Sequence, residues 1–301
     1  MTGETAADVE IVPTARPRMD EGGLSSFIAR FRPRTITHWI GFLLVVGWVL
    51  LATFAPLLTS YDPIAQDFTA LLQPPSPTHV FGTDQLGRDI YSRVLFGGRA
   101  TLPIGVAIIG IALVIGIPIG AFAGYARGWV DEGLMRIADI FLAFPTIVLA
   151  LAIAAALGPD LASAVVAIAV VLWPRYARLV RGQVLSLKER DFVLANRGLG
   201  ASPRRILVRT VLPNVLPVVT FVAILDIGGA TLAGATLSFL GLGIRPPNPE
   251  WGAMVSLATQ YPGDWWMSAF PGFALISFVV GLNLYGEVLE RASERATGAG
   301  S

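Results

Sequence analysis

Six stretches of this chain stay apolar for long enough to cross a bilayer, and polar segments of very unequal length and arginine content separate them. A spanning helix needs about 20 apolar residues to cross roughly 30 Å of hydrocarbon. The qualifying stretches lie near residues 40–58, 102–125, 137–157, 161–179, 211–236 and 267–288. Each predicts one membrane-spanning helix, so the expected fold is all-α: a polytopic membrane protein with six transmembrane helices. Pro103, Pro118, Pro145 and Pro217 interrupt these stretches, which bundled membrane helices tolerate because neighbours re-satisfy the freed backbone groups.

One polar insert breaks the pattern. It runs from Arg190 to Asn214, between the fourth and fifth stretches, and carries the punctuation of two short helices meeting at a sharp turn. Gly200 suits the left-handed position that ends a helix. Ser202 followed by Pro203 suits an N-cap and a first helical position. An ordered, basic helix–turn–helix on one side of a bilayer suits docking of a soluble partner and reception of force from it.

Composition agrees with the membrane reading. The chain is 54% hydrophobic and 14% charged, whereas soluble domains carry about a quarter charged residues. Cysteine is absent, which excludes disulfides, thiolate nucleophiles and thiolate metal sites. A net charge of +1 gives no pull toward nucleic acid. The polar first 35 residues lack the short apolar core of a signal peptide and are expected to form a disordered tail. All but four of the 22 Lys and Arg fall on one face; the exceptions are Arg88, Arg93, Arg99 and Arg245. The positive-inside rule then puts both termini and the insert in the cytoplasm, in a multi-pass protein of the cell membrane contacting lipid.

The outer loops carry further expectations. Thr83 or Asp84 can cap an amphipathic surface helix whose apolar stripe is Leu86, Ile90 and Val94. Three prolines stiffen the segment Ile244–Gly252, and Trp251, Trp265 and Trp266 suit an aromatic belt. Within the fifth stretch, Asp226 is expected to face protein or water. It is a candidate pathway residue attracting a cationic group; the other reading is a structural hydrogen bond. The insert's basic run is counted from Arg175, which leaves Asp226 without an expected cationic partner inside the spans. Asp139 is expected to pair locally with Arg136.

The insert resembles the EAA loop of permease subunits from binding-protein-dependent ABC importers. Ala195, Gly200, Leu212 and Pro213 match that pattern, while Leu194, Asn196 and Thr210 stand in place of its usual residues. Phe54-Ala55-Pro56-Leu57-Leu58 with Tyr61-Asp62-Pro63, and Gly82-Thr83-Asp84 with Leu86-Gly87-Arg88-Asp89, resemble the C-subunit type of the dipeptide, oligopeptide and nickel branch. So does Leu237-Ser238-Phe239-Leu240-Gly241-Leu242-Gly243 with Trp251-Gly252. Gly234 stands near where that branch often has Glu.

The resemblance covers about residues 36–290. It implies a type I ABC importer permease-like core: a first helix and outer loop over 36–100, five helices over 101–290 with a coupling loop near 180–213, and a short tail over 291–301. It also implies a second, homologous permease, two ATPase subunits and an extracytoplasmic substrate-binding protein. The coupling residues would be Leu194, Ala195, Asn196, Gly200, Ala201, Ser202, Pro203, Leu212 and Pro213. Cargo would be di- or oligopeptides, with nickel or another small solute as the alternative.

No cofactor is expected on this chain. A P-loop needs upstream glycines before Gly-Lys-Ser/Thr, and the single lysine, Lys188, is followed by Glu189 without them. ATP and Mg would therefore belong to the partner ATPases, and the chain is expected not to be an enzyme. An intramembrane enzyme is the first rival, but His38 and His79 lie outside the predicted spans and lack a second ligand spacing. A secondary transporter is the second, and no internal repeat supports it.

Overall fold

The computed structural model describes residues 36–126, 128–244 and 246–298, the last stretch with side chains through Gly286. The expected tail over 1–35 lies outside the described residues. The helices, in chain order, are α1 (Ile36–Thr53), α2 (Ala55–Leu58), α3 (Ile90–Ala126), α4 (Gly128–Ala143), α5 (Thr146–Leu157) and α6 (Leu161–Leu187). They continue with α7 (Asp191–Gly198), α8 (Pro203–Ile206), α9 (Leu212–Phe239), α10 (Trp251–Ala258) and α11 (Trp266–Gly298). The backbone of α11 is helical through Gly298, so the residues expected to form a short tail continue the last helix.

Among the described residues five helices are long and apolar enough to span, and α4 with α5 makes a sixth only as a bent pair. This corrects the expectation of one straight span over 137–157. The two helices meet at 93°. The break falls at Phe144-Pro145, where proline removes a backbone donor and pushes the preceding residue out of helical geometry.

Helix α6 is the centre of the bundle, with 61% of its apolar window buried. Its closest neighbour is α3. Lipid tails are as apolar as leucine, so helices in a bilayer associate through close packing rather than through the hydrophobic effect. Gly116, Gly120 and Gly124 provide that closeness, spaced by four along one face of α3. A Cβ at Gly120 would sit 2.2 Å from the carbonyl oxygen of Ala177, and one at Gly116 would sit 2.8 Å from that of Trp173. On the opposite flank α11 lies against α1, where the His38 ring meets Tyr285 edge-on at 4.8 Å. His38 is therefore inside α1 and buried, not ahead of the span.

The outer loop differs from its expected form. No surface helix spans Thr83 to Val94; residues 83–89 fold into a tight loop closed by a bridge between Thr83 and Asp89, and α3 starts only at Ile90. Asp84 is the reason. Its carboxylate accepts the backbone N–H of Leu86 at 2.9 Å and of Arg88 at 3.1 Å, and binds Arg88 Nε at 2.7 Å. Those bonds hold a turn in place of a helix start.

Arg93, also buried, crosses from α3 to the carbonyls of Pro63 at 2.7 Å and Pro247 at 3.2 Å, joining the two outer loops. The tryptophans divide accordingly. Trp265 is exposed, but Trp251 is wholly buried and donates to the Val94 carbonyl at 2.8 Å. Trp266 is also buried and donates to that of Thr83 at 3.1 Å. Two of the three expected belt residues are core residues of the outer cap.

Candidate functional site

The insert between α6 and α9 is a helix pair joined by a four-residue turn, residues 199–202. Helix α7 ends in a Schellman arrangement: Gly200 N–H donates to the Arg197 carbonyl at 3.0 Å and Ala201 N–H to that of Asn196 at 3.1 Å. Gly200 takes φ +78°, the left-handed value that this closure requires. Ser202 then caps α8, its Oγ accepting the Arg205 N–H at 3.4 Å, with Pro203 at the first helical position.

Downstream, Leu207–Val211 widen into a π-helical turn before α9. Pro213 explains the widening, because it has no N–H to give the Arg209 carbonyl and its ring would clash there. Leu212 and Pro213 thus start α9 rather than belonging to the turn.

The pair has two faces. Val193 and Ile206 are buried and anchor it to the bundle core. Phe192, Leu194, Leu199 and Val208 are exposed apolar side chains, Leu199 at 87%. Ala195, Ser202 and Pro203 are also exposed, as are Arg197, Arg204 and Arg205; Asn196 and Ala201 are half-buried.

A second feature lies inside the bundle. Arg175, Arg178 and Arg181 recur every three residues along α6, each step turning the side chain back by about 60°. Each meets an aspartate from another helix. Arg175 Nη2 lies 3.0 Å from Asp226 Oδ1 of α9. Arg178 pairs with Asp139 of α4. Arg181 binds Asp131 of α4 through Nε at 2.5 Å and Nη2 at 2.7 Å. Tyr176 donates its hydroxyl to Asp226 Oδ2 at 2.8 Å.

This corrects two expectations. Asp226 does have a cation beside it, because α6 extends well past the Arg175 at which the basic insert was counted. Asp139 pairs across to α6 instead of locally with Arg136. The pattern Arg-x-x-Arg-x-x-Arg was visible along the chain, but its partners lie 51, 39 and 50 residues away, beyond the reach of local spacing.

A profile of the family described as "Binding-protein-dependent transport system inner membrane component" matches residues 116–297, which include the ladder, the helix pair and the helices that carry them. The chain belongs to this family. A second profile, "N-terminal TM domain of oligopeptide transport permease C", matches residues 29–75 of the permease. The permease is 44% identical over 256 residues to the probable D,D-dipeptide transport system permease protein of Escherichia coli, covering 85% of each chain. It is 43% identical over 254 residues to the dipeptide transport system permease protein of Alkalihalophilus pseudofirmus, covering 84% of each.

Its fold is shared with the solved inward-facing MetNI methionine ABC transporter. The TM-score is 0.56 at 20% identity, over 67% of this chain and 97% of that one. The permease is thus a multi-pass membrane transport subunit with a type I ABC importer permease fold.

Proposed function

We propose that this permease forms half of the translocation path of an ATP-driven importer for di- or oligopeptides, with the loop over 190–214 as its coupling element. The exposed residues of the helix pair carry this reading: Leu199 at its tip with Phe192 and Leu194 also open, among exposed arginines, on a turn locked by Gly200. Soluble surfaces seldom present apolar side chains so densely unless a partner covers them. A separate ATPase with an apolar groove and an acidic rim fits that surface.

A second, homologous permease completes the path, two ATPases supply ATP hydrolysis with Mg, and an extracytoplasmic binding protein delivers cargo. This chain holds no cofactor of its own. Both termini and the coupling loop are cytoplasmic, following the arginine bias. Peptide cargo is supported by the transport systems after which the relatives are described.

The test is co-purification of the ATPases and cargo-stimulated ATP hydrolysis in reconstituted importers. Leu199→Asp puts a charge at the centre of the docking face, and Gly200→Val strains the turn by about 1–2 kcal/mol. Both variants are expected to reach the membrane and to lose most ATPase association. Undiminished association and hydrolysis in both would remove the helix pair from coupling.

A further inference from the structure

Asp226 lies 14 residues beyond Leu212, about 21 Å along α9 at 1.5 Å per residue, and Arg175 sits near the middle of α6. Both belong to the apolar depth of the bundle. Their exposures differ: the Arg175 side chain is 58% accessible and that of Asp226 only 18%. Both Asp226 oxygens are already engaged, one by Arg175 and one by Tyr176. The group that this cluster presents outward is therefore the guanidinium, not the carboxylate.

The neighbourhood suits a ligand. Along α6 the exposed positions near Arg175 are Arg178, Gly182 and Ser186, recurring as one helical face that carries no large apolar side chain. Such a face is costly against hydrocarbon and belongs against protein or a water-filled path. On α9, Gly229 lies one turn beyond Asp226, is exposed, and has nothing within 4 Å of where a Cβ would stand.

Arg175 differs from Arg181 one ladder step away. Arg181 is engaged by both oxygens of Asp131, whereas Arg175 meets Asp226 through one nitrogen, leaving most of its five N–H donors to the open side.

We propose that Arg175 is a carboxylate-binding residue of the translocation path, held in place by Asp226 and Tyr176, and that its outward donors receive the C-terminal carboxylate of a peptide in transit. A planar guanidinium matches a carboxylate through paired hydrogen bonds, a geometry that lysine lacks. The Asp226 counter-charge keeps the resting pair neutral and weakens the hold on cargo, as a site of passage requires. Asp226 and Tyr176 are positioning residues here. The assignment rests on the peptide reading above.

The experiment uses the assembled importer in proteoliposomes with saturating binding protein, whose affinity for each cargo is measured separately. Uptake of a neutral dipeptide is compared with that of its C-terminal amide. For the unsubstituted importer the free carboxylate is expected to be favoured. Arg175→Gln is expected to lower uptake of the free dipeptide at least about tenfold while leaving the amide within about twofold, the loss of one charge-assisted contact. Arg175→Lys is expected to keep part of the preference.

Equal losses for both cargoes, or no loss, would overturn the carboxylate site alone. Failure of Arg175→Gln to assemble with the second permease would place Arg175 in that interface and overturn the site as well. No uptake of either peptide by the unsubstituted importer would overturn the cargo reading, and the site with it.

Discussion

Lys188 Nζ donates to the carbonyl oxygen of Gly124 at 2.7 Å, so the one lysine of the chain holds the last turn of α3 from the C-cap of α6, just ahead of the coupling loop. Last-turn carbonyls lack intrahelical donors, and a buried cation there also complements the helix dipole. The contact ties the end of α6, which leads into the helix pair, to the last turn of α3, next to the glycine face along which the two helices pack. Lys188 is 7% exposed, so Lys188→Met should leave a buried carbonyl short of a donor, costing about 1–3 kcal/mol. Cargo-stimulated ATP hydrolysis should fall several-fold in reconstituted importers while the ATPases still co-purify, and Lys188→Arg should recover much of it. Full stimulation in Lys188→Met would mean that the contact transmits nothing.

The approach of α3 to α6 can be tested by adding one methyl group. Gly120→Ala would drive a Cβ into the Ala177 carbonyl, and neither backbone can retreat without parting the helices. A cost of about 1–3 kcal/mol is expected, read as a lowered unfolding temperature in detergent. Gly110→Ala, on the same helix with nothing within 4 Å, is the matched control and should be neutral or slightly stabilising. Equal melting shifts for the two variants would contradict the packing account.

Glu250 gives the outer cap a pH dependence. Burial pushes its carboxyl above the ordinary carboxylate range, opposed by hydrogen bonds from the Gly252 and Ala253 N–H groups and the Thr101 hydroxyl. A raised folded-state value means that the fold holds the proton more tightly than the unfolded chain does. The resulting stability is fully present below the ordinary carboxylate value and is lost as pH rises through the raised one. Glu250→Gln should therefore flatten the fall in unfolding temperature as pH rises above the ordinary carboxylate range. An unchanged slope in that variant would show that another group titrates there.

Orientation follows from single-cysteine labelling, because the chain contains no cysteine of its own. Ser202→Cys, on the exposed side of the helix pair, should react with a membrane-impermeant thiol reagent only from the cytoplasmic side. Ser76→Cys, in the outer loop, should react only from outside. The reverse pattern would invert the topology and detach the coupling loop from any cytoplasmic ATPase.

The spans were legible because a hydrocarbon environment imposes one simple demand, about 20 apolar residues per crossing, which a linear pattern records directly. The turn at Gly200-Ala201-Ser202-Pro203 was legible for a similar reason: a positive φ, an N-cap hydroxyl and a first-turn proline are local requirements met by particular residues. The Gly116, Gly120 and Gly124 face was also written in the chain at a spacing of four, and only its partner surface was not.

What the tertiary structure alone decided is the fate of the charges. Asp84 turned an expected surface helix into a loop by binding backbone N–H groups and Arg88. Arg175 met Asp226, and Trp251 left the interface for the core, each through contacts between helices distant along the chain. Hydrophobic pattern and turn chemistry are properties of neighbouring residues. A charge set among apolar helices needs a counter-ion beside it, and in this bundle the counter-ions of the α6 arginines come from segments about 40 to 50 residues away along the chain.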